Sequence, residues 1–284
     1  MRSSLSKAYF EITNVCNASC SFCPGHHRPR RFVTEEEFLT VLSRLEGKVQ
    51  HLYFHLMGEP LCHPRVRHFA ALAKERGFRV MITSNGLLAR KVGIPLVEDG
   101  NVHKISLSLH SFEANAFGVS FEEYLNGCLD LAERATEAKT VCALRLWNRT
   151  DGVSEDSGYN ERILSALRER FDEGWTENRT GYRLRPYLFL EWGDRFTWPG
   201  ELPSEDRPLF CYALRSQIGI LSDGTAVPCC LDGEGRMPLG NLFTDDLETI
   251  LSSHRGQAIY DGFTAHRAAE PLCRTCGFAR RFLS

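Results

Sequence analysis

Residues 8 to 23 read Ala8-Tyr9-Phe10-Glu11-Ile12-Thr13-Asn14-Val15-Cys16-Asn17-Ala18-Ser19-Cys20-Ser21-Phe22-Cys23. The run from Ala8 to Ile12 is of strand type, and the three cysteines follow it at close spacing. A loop that leaves a strand and presents three thiolates is suited to a metal centre. An iron–sulfur cube held by three cysteines keeps one iron for a ligand other than protein.

Beyond this loop the chain alternates. Strands are predicted at Lys7–Thr13, Val49–Leu56, Phe78–Thr83, His103–Leu109, Thr140–Trp147 and Arg183–Leu190. Helices are predicted at Thr34–Glu46, Pro64–Arg76, Ala89–Val97, Phe121–Ala138 and Tyr159–Phe171. Thr34-Glu35-Glu36-Glu37 is a capping box, and Gly47 and Gly77 suit helix ends. Such alternation predicts an α/β fold, a parallel sheet with helices packed outside. Six units are too few for the closed eight-unit barrel and predict a partial (β/α)6 barrel, with its chemistry at the C-terminal strand ends. The pattern breaks at Trp198–Pro208, a proline-rich linker. It divides the chain into residues 1–205 and a smaller part, 206–284. In the latter, Gln217–Leu221 and Thr225–Val227 flank Ser222-Asp223-Gly224, a hairpin signal, and a helix is predicted at Asp245–Ser253.

Composition sets wider bounds. The chain has 284 residues, 43% hydrophobic and 25% charged, with net charge −2 and 11 cysteines. This is an ordinary globular balance without a general nucleic-acid footprint. Met1-Arg2-Ser3-Ser4 leads into a strand without a signal-peptide core, and no apolar stretch is long enough to cross a bilayer. The expected compartment is the reducing cytoplasm, where so many cysteines argue for metal or redox chemistry rather than disulfides.

The C-terminal part holds Cys211, Cys229, Cys230 and the pair Cys273-Arg274-Thr275-Cys276. Cys273 and Cys276 can chelate one centre, and Cys211 and Cys229 can complete four-thiolate coordination. Zinc and a four-iron cluster both accept that set. The three-cysteine loop upstream favours iron. Cys62, Cys128 and Cys142 fall in helix or strand patterns and read as core.

These motifs carry a resemblance. Cys16-x3-Cys20-x2-Cys23, with Phe22 before the last cysteine, resembles the signature loop of the radical S-adenosylmethionine (SAM) superfamily. Gly58-Glu59-Pro60 after the second strand resembles that family's contact to the methionine amino group. Thr83-Ser84-Asn85-Gly86 and Ser106-Leu107-Ser108 stand where the family touches the rest of SAM. The C-terminal cysteines, with Gly224 and Gly240-Asn241, resemble a SPASM or "twitch" extension carrying a single auxiliary cluster. Met57 departs from the glycine common at its position, which is expected to alter packing but not SAM binding.

The resemblance implies three cofactors: a SAM-binding [4Fe–4S] cluster on Cys16, Cys20 and Cys23, SAM itself, and an auxiliary [4Fe–4S] cluster on Cys211, Cys229, Cys273 and Cys276. It implies reductive cleavage of SAM to a 5′-deoxyadenosyl radical that takes a hydrogen atom from substrate, with electrons from a flavodoxin or ferredoxin. Phe22, Gly58, Glu59, Asn85 and Ser108 are the implied SAM contacts; Asn85 and Ser108 serve equally well as turn caps, and Phe22 as a packed aromatic. A four-thiolate auxiliary cluster suits electron uptake, hence a dehydrogenase-like oxidation of a small polyhydroxylated or nucleotide-like molecule. Arg145, His110 and Glu191 sit at the strand ends where a base would be needed, although each suits an ordinary ion-paired or hydrogen-bonded role. Cys230, beside Cys229, fits either a hydrogen-atom donor, as in radical epimerases, or a small buried residue or alternative ligand. His26, His27, Arg28, Arg30 and Arg31 form a basic loop after Cys23 that suits a substrate phosphate or plain solvation. Read as a phosphate site, it favours a nucleotide and a lyase like that of queuine salvage. His55, Trp147, Trp192 and Trp198 are further pocket candidates. A peptide substrate remains open, although no separate leader-binding domain is expected. The non-enzymatic alternative, an iron–sulfur carrier or zinc module, leaves Gly58-Glu59-Pro60 and Ser84-Asn85-Gly86 without a purpose.

Overall fold

The computed structural model describes residues 5–172, 174–204 and 208–282. Met1–Ser4 and the 205/206 division expected from sequence lie outside these. The chain runs β1 (Lys7–Phe10), α1 (Glu35–Leu45), β2 (His51–Tyr53), α2 (Val66–Glu75), β3 (Arg79–Ser84), α3 (Ile94–Glu98), β4 (Lys104–Ser108), α4 (Phe121–Glu137) and β5 (Val141–Thr150). Next come β6 (Val153–Ser154), α5 (Tyr159–Arg170), β7 (Thr176–Asn178), β8 (Gly181–Arg185) and β9 (Leu188–Asp194). The C-terminal part adds β10 (Gln217–Ile220), β11 (Thr225–Val227), β12 (Gly240–Asn241), α6 (Leu247–Ser252), α7 (His254–Thr264) and α8 (Pro271–Arg274).

Local chemistry accounts for these elements. The capping box forms at α1: Glu37 N donates to Thr34 Oγ1 at 3.2 Å, and Thr34 N donates to Glu37 Oε2 at 2.9 Å. The strands alternate. Ala8 and Phe10 are fully buried toward the helices while Tyr9 between them is half-buried on the other face. Outside the sheet, Phe10 stacks on Phe38 and Phe38 on Phe69, at centroid separations of 5.7 and 4.1 Å. These large rings dominate the burial that holds α1 and α2 against the strands.

All strands join one sheet, in the order β12-β11-β10-β1-β2-β3-β4-β5-β9-β8-β7, with β6 pairing on β5. From β1 to β5 and on to β9 every pairing is parallel, giving the six sequential strands of a partial barrel. The edges β12 and β7 do not meet, so the barrel is open. The predicted sixth strand, Arg183–Leu190, is two strands: β8 and β9 run antiparallel. Pro186 and Tyr187 turn the chain between them, Tyr187 with φ +66°. A turn made by Pro-Tyr lacks the glycine or asparagine that marks tight turns in sequence. The predicted helix from Ala89 opens with a π turn before α3, and the helix from Asp245 is followed at once by α7, which the sequence reading did not separate.

The sheet does not stop at the C-terminal part. β10 pairs parallel with β1, Lys7 opposite Gln217 and Phe10 opposite Ile220, and β11 and β12 extend from it. The fully buried Glu11 fixes this junction. Its carboxylate accepts from Arg28 Nη2 (2.8 Å), Met57 N (3.0 Å) and Ser222 N (3.1 Å). One side chain thus ties the end of β1 to the cysteine loop, to the segment after β2 and to the β10–β11 turn.

Candidate active site

The cysteine loop is closed at its neck. Thr13 pairs with Phe32 across the two ends. Asn14 Nδ2 donates to Pro29 O at 2.8 Å, and Arg31 N donates to Asn14 Oδ1 at 2.8 Å. Within the loop Cys16 and Cys23 are exposed and Cys20 is half-buried. Two asparagines that the sequence reading missed brace the thiols. Asn115 Nδ2 donates to Cys20 Sγ at 3.1 Å while its Oδ1 accepts from Ser19 N at 2.7 Å. Asn17 Oδ1 accepts from Asn85 Nδ2 at 2.8 Å. Asn115 lies in an irregular segment after β4 with no sequence signal of its own. Burial, with the charges of Glu59 and Cys20 close by, pushes the Cys16 thiol up to about 11. A bound cation reverses that penalty, because coordination needs the thiolate.

Gly58-Glu59-Pro60 docks against the start of this loop. Gly58 has φ +73°, and a Cβ there would stand 2.4 Å from Thr13 O and 2.8 Å from Asn14 Cα. Both atoms are backbone, so only glycine fits. Glu59 N then donates to Val15 O at 2.9 Å. The Glu59 carboxylate, in a residue 2% exposed, accepts from Leu61 N (3.0 Å) and Asn85 N (2.7 Å). Its hydrogen-bond partners are neutral donors, and burial pushes its pKa up to about 7. Met57 is buried, and a Cβ on Gly233 would lie 2.7 Å from Met57 Cγ. The larger side chain is accommodated by a glycine in the C-terminal part, a change of packing as expected.

The other expected SAM contacts stand around the same rim. Asn85 is committed to the protein: Nδ2 to Asn17, Oδ1 accepting from Leu87 N at 2.9 Å. Its turn-capping role is present. Ser108 ends β4 opposite Arg145. Phe22 is 39% exposed and lies 5.2 Å from the His110 ring. Cys62, read as core, is instead half-buried near Cys16 and Glu59, whereas Cys128 and Cys142 are buried as expected. Trp198, within the expected linker, donates from Nε1 to Phe22 O at 2.9 Å and so reaches the loop rather than the barrel interior.

In the C-terminal part the four expected cysteines converge. Cys229 lies in the fields of Cys211 and Cys273, and Cys273 in those of Cys211 and Cys276; burial raises all four thiols. Among the described residues, no three His, Cys, Asp or Glu side chains close on a point at single-ion distance. Cys230 is hydrogen-bonded to Tyr9 and close to Lys7 of β1, and it also lies in the fields of Cys229 and Cys211.

A family model for the radical SAM superfamily matches residues 10–144, and one for an iron–sulfur cluster-binding domain, SPASM, matches residues 211–277. The chain belongs to the radical SAM superfamily. The tungsten-containing aldehyde ferredoxin oxidoreductase cofactor-modifying protein of Pyrococcus furiosus is 34% identical over 84 residues, 28% of this chain and 24% of that protein. The match thus spans about a quarter of that relative. Solved structures share the fold at low identity. BtrN in complex with AdoMet and 2-DOIA superposes with a TM-score of 0.64 at 16% identity, covering 97% of this chain and 94% of that one. Histidine-tagged anSMEcpe with bound AdoMet gives 0.60 at 13% identity, covering 89% and 81%. Streptococcus suis SuiB bound to S-adenosylmethionine gives 0.56 at 16% identity, covering 98% and 72%.

The superfamily's cofactors are a [4Fe–4S] cluster with SAM, and its SPASM domain adds auxiliary iron–sulfur ligation. The residues of this chain fit them. Three thiols gather in one loop, four converge in the C-terminal part, and a buried carboxylate without a cationic partner stands beside the first set.

The candidate catalytic residues gather on the concave face of the sheet. Although β3 and β4 lie between β2 and β5, Arg145 of β5 acts electrostatically on Tyr53 and His55, and its Nη1 is 3.4 Å from Thr83 Oγ1 of β3. Arg145 Nε is 3.4 Å from Glu191 Oε2, and Lys104 Nζ donates to Glu191 Oε1 at 2.8 Å. Lys104, Tyr9 and Tyr53 were not singled out from sequence, and Thr83 only as part of the Thr83–Gly86 motif; strand register brings them together. Burial lowers His55 to about 3, and its Nδ1 has no hydrogen-bond partner among the described residues. His110 is lowered by burial to about 4, with Nδ1 3.1 Å from the Arg145 carbonyl. The ring is held neutral against the backbone. Trp147 and Trp192 stack on Arg145 and Arg149, 4.6 and 3.8 Å from the ring centroids.

The basic loop differs from its phosphate-binding expectation. Arg28 pairs with Glu11, Arg31 with Glu37 at 2.5 Å, and His27 with Glu234 at 2.9 Å. His26 Nε2 is 2.9 Å from Asn14 O. Arg30 is exposed. Apart from Arg30, these side chains are engaged with the protein and pin the loop.

Proposed function

We propose that this radical SAM protein oxidises a small polar substrate held on the concave face of the barrel, with the C-terminal cysteine centre taking up the electron. The observation that carries the reading is the pairing of a three-thiol loop at the strand ends with a complete four-thiol set. Three ligands leave one iron for SAM, and four leave none for substrate. Once bound, the cluster and SAM supply a 5′-deoxyadenosyl radical.

The chain's own residues bind, aim and shield. Glu59, buried and facing neutral donors, is suited to hold an ammonium. Gly58 lets that carboxylate approach the cysteine loop. Tyr9, Tyr53, Thr83, Arg145 and Glu191 present hydroxyl and charged groups to a polar substrate. Glu191, flanked by Lys104 and Arg145, is the group placed to receive a proton from an oxidised carbon's hydroxyl. No helix among the described residues is long and apolar enough to cross a membrane.

A second reading has one observation behind it. Cys230, although in the fields of Cys229 and Cys211, is hydrogen-bonded to Tyr9, a position that supports returning a hydrogen atom to substrate, as in epimerisation. Solvent deuterium separates the two readings, since only the thiol route places it on product carbon.

The test is anaerobic incubation of the reconstituted protein with reductant and SAM. The expected result is 5′-deoxyadenosine from wild type and at least a hundredfold less from Cys16→Ala, Cys20→Ala or Cys23→Ala. Cys273→Ala or Cys276→Ala is expected to cleave SAM but not to turn over substrate. Iron-loaded wild-type protein that forms no 5′-deoxyadenosine overturns the reading.

A further inference from the structure

Three ionic side chains meet on the concave face and do not balance. Glu191 stands between Lys104 (2.8 Å) and Arg145 (3.4 Å), so two cations share one carboxylate. The contacts are unequal. Lys104 takes Oε1 at full hydrogen-bond distance, while Arg145 reaches Oε2 and Thr83 Oγ1 only at 3.4 Å. Arg145 is therefore the cation with unused donors. Its side chain keeps 16% of its surface accessible. The other groups nearest it are uncharged: Tyr9 and Tyr53, stacked at 4.5 Å, neutral His55, and the Trp147 ring at 4.6 Å; Lys7 stands beyond them, its Nζ 5.9 Å from the Tyr9 ring centroid.

A guanidinium withdrawn from water and incompletely paired is costly, and an incoming anion relieves that cost. We infer that Arg145 is the anion-binding subsite of the substrate pocket and that the substrate carries a single carboxylate there. The charge count favours a carboxylate over a phosphate monoester. One excess positive charge matches one negative charge, whereas a phosphate monoester brings nearly two. The planar fork of Arg145 suits a two-oxygen acceptor, with the phenols of Tyr9 and Tyr53 and the orphaned nitrogen of His55 nearby. This inference rests on the proposed radical reading and narrows its substrate to acidic small molecules.

The test uses cluster-reconstituted protein with SAM, in chloride-free buffer, and the probes are acetate, its neutral isostere acetamide, and inorganic phosphate. Binding is read by saturation-transfer NMR for the organic probes and by calorimetry for all three. Acetate is expected to bind wild type and acetamide not. Arg145→Met is expected to weaken acetate at least tenfold. Glu191→Gln, which removes the competing carboxylate, is expected to tighten it severalfold, a change of sign that a merely structural ion pair does not produce. If Arg145→Met fails to fold, judged by iron content and melting, Glu191→Gln decides alone. Acetate binding that is absent in wild type, unchanged in Arg145→Met, or weakened in Glu191→Gln overturns the inference. Phosphate binding tenfold tighter than acetate overturns the carboxylate assignment. The 5′-deoxyadenosine yield of wild type is measured in parallel. Its presence without acetate binding sinks only this inference, and its absence sinks the radical reading.

Discussion

Gly58 shows how one residue joins two motifs. Its φ of +73° and the 2.4 Å approach of Thr13 O to its missing side chain let Glu59 reach the cysteine loop. Gly58→Ala is expected to cost about 2 kcal/mol or more of stability, from a strained dihedral and a backbone collision together. Urea denaturation checks this, and SAM affinity should fall with it because Glu59 shifts. Histidine burial gives a second prediction at this scale. His110 titrates at 6.5 when exposed and is held down at about 4. The unfolded chain therefore gains the proton first as pH falls, and His110's contribution to stability is lost from about pH 6.5 toward pH 4. By pH 5 that loss is about 2 kcal/mol. Glu59, raised to about 7, acts in the opposite direction, so the clean measurement is the stability of wild type relative to His110→Gln at pH 7 and pH 5. A difference that does not shrink toward pH 5 contradicts the assignment.

At the scale of elements, the Glu11–Arg28 pair decides how the cysteine loop sits. Glu11 is fully buried, and Arg28 supplies its positive partner at 2.8 Å. Arg28→Met leaves that carboxylate with backbone donors alone and is expected to destabilise by about 3–5 kcal/mol. Iron content after reconstitution should drop for both centres, because the same carboxylate anchors Ser222 before the auxiliary cysteines. Normal iron content at normal stability contradicts it. None of this was legible in the sequence. Glu11 reads as the polar position of a strand, and Arg28 as one cation in a basic loop. What was legible were groups whose spacing along the chain is itself the chemistry: Cys16-x3-Cys20-x2-Cys23, Gly58-Glu59-Pro60 and the Thr34 capping box. Of the Lys104–Glu191–Arg145 triad, Arg145 and Glu191 were candidates from their strand ends, but Lys104 and the contact among the three escaped for the opposite reason. Its members come from β4, β5 and β9, and only register and sheet curvature bring them together. The β8–β9 turn escaped because Pro186-Tyr187 carries no glycine to mark it.

For the whole molecule, the two sequence-defined parts share one sheet and one core, with Ile218 and Ile220 buried in the same cluster as Ala8 and Phe10. The start of the linker is tied down, Gly277 N donating to Thr197 O at 3.1 Å and Trp198 Nε1 to the cysteine loop. Both cysteine sites therefore belong to a single packed body joined through β1. That arrangement has a consequence during synthesis. Lys7, on β1, pairs with Gln217 on β10, which is translated long after it. At about 5–20 residues per second, the outer edge of β1 waits roughly 10–40 s for its neighbour to be translated. A nascent chain of this protein carries an unpaired strand edge beside three open thiols for that interval, a state open to wrong pairing until β10 arrives.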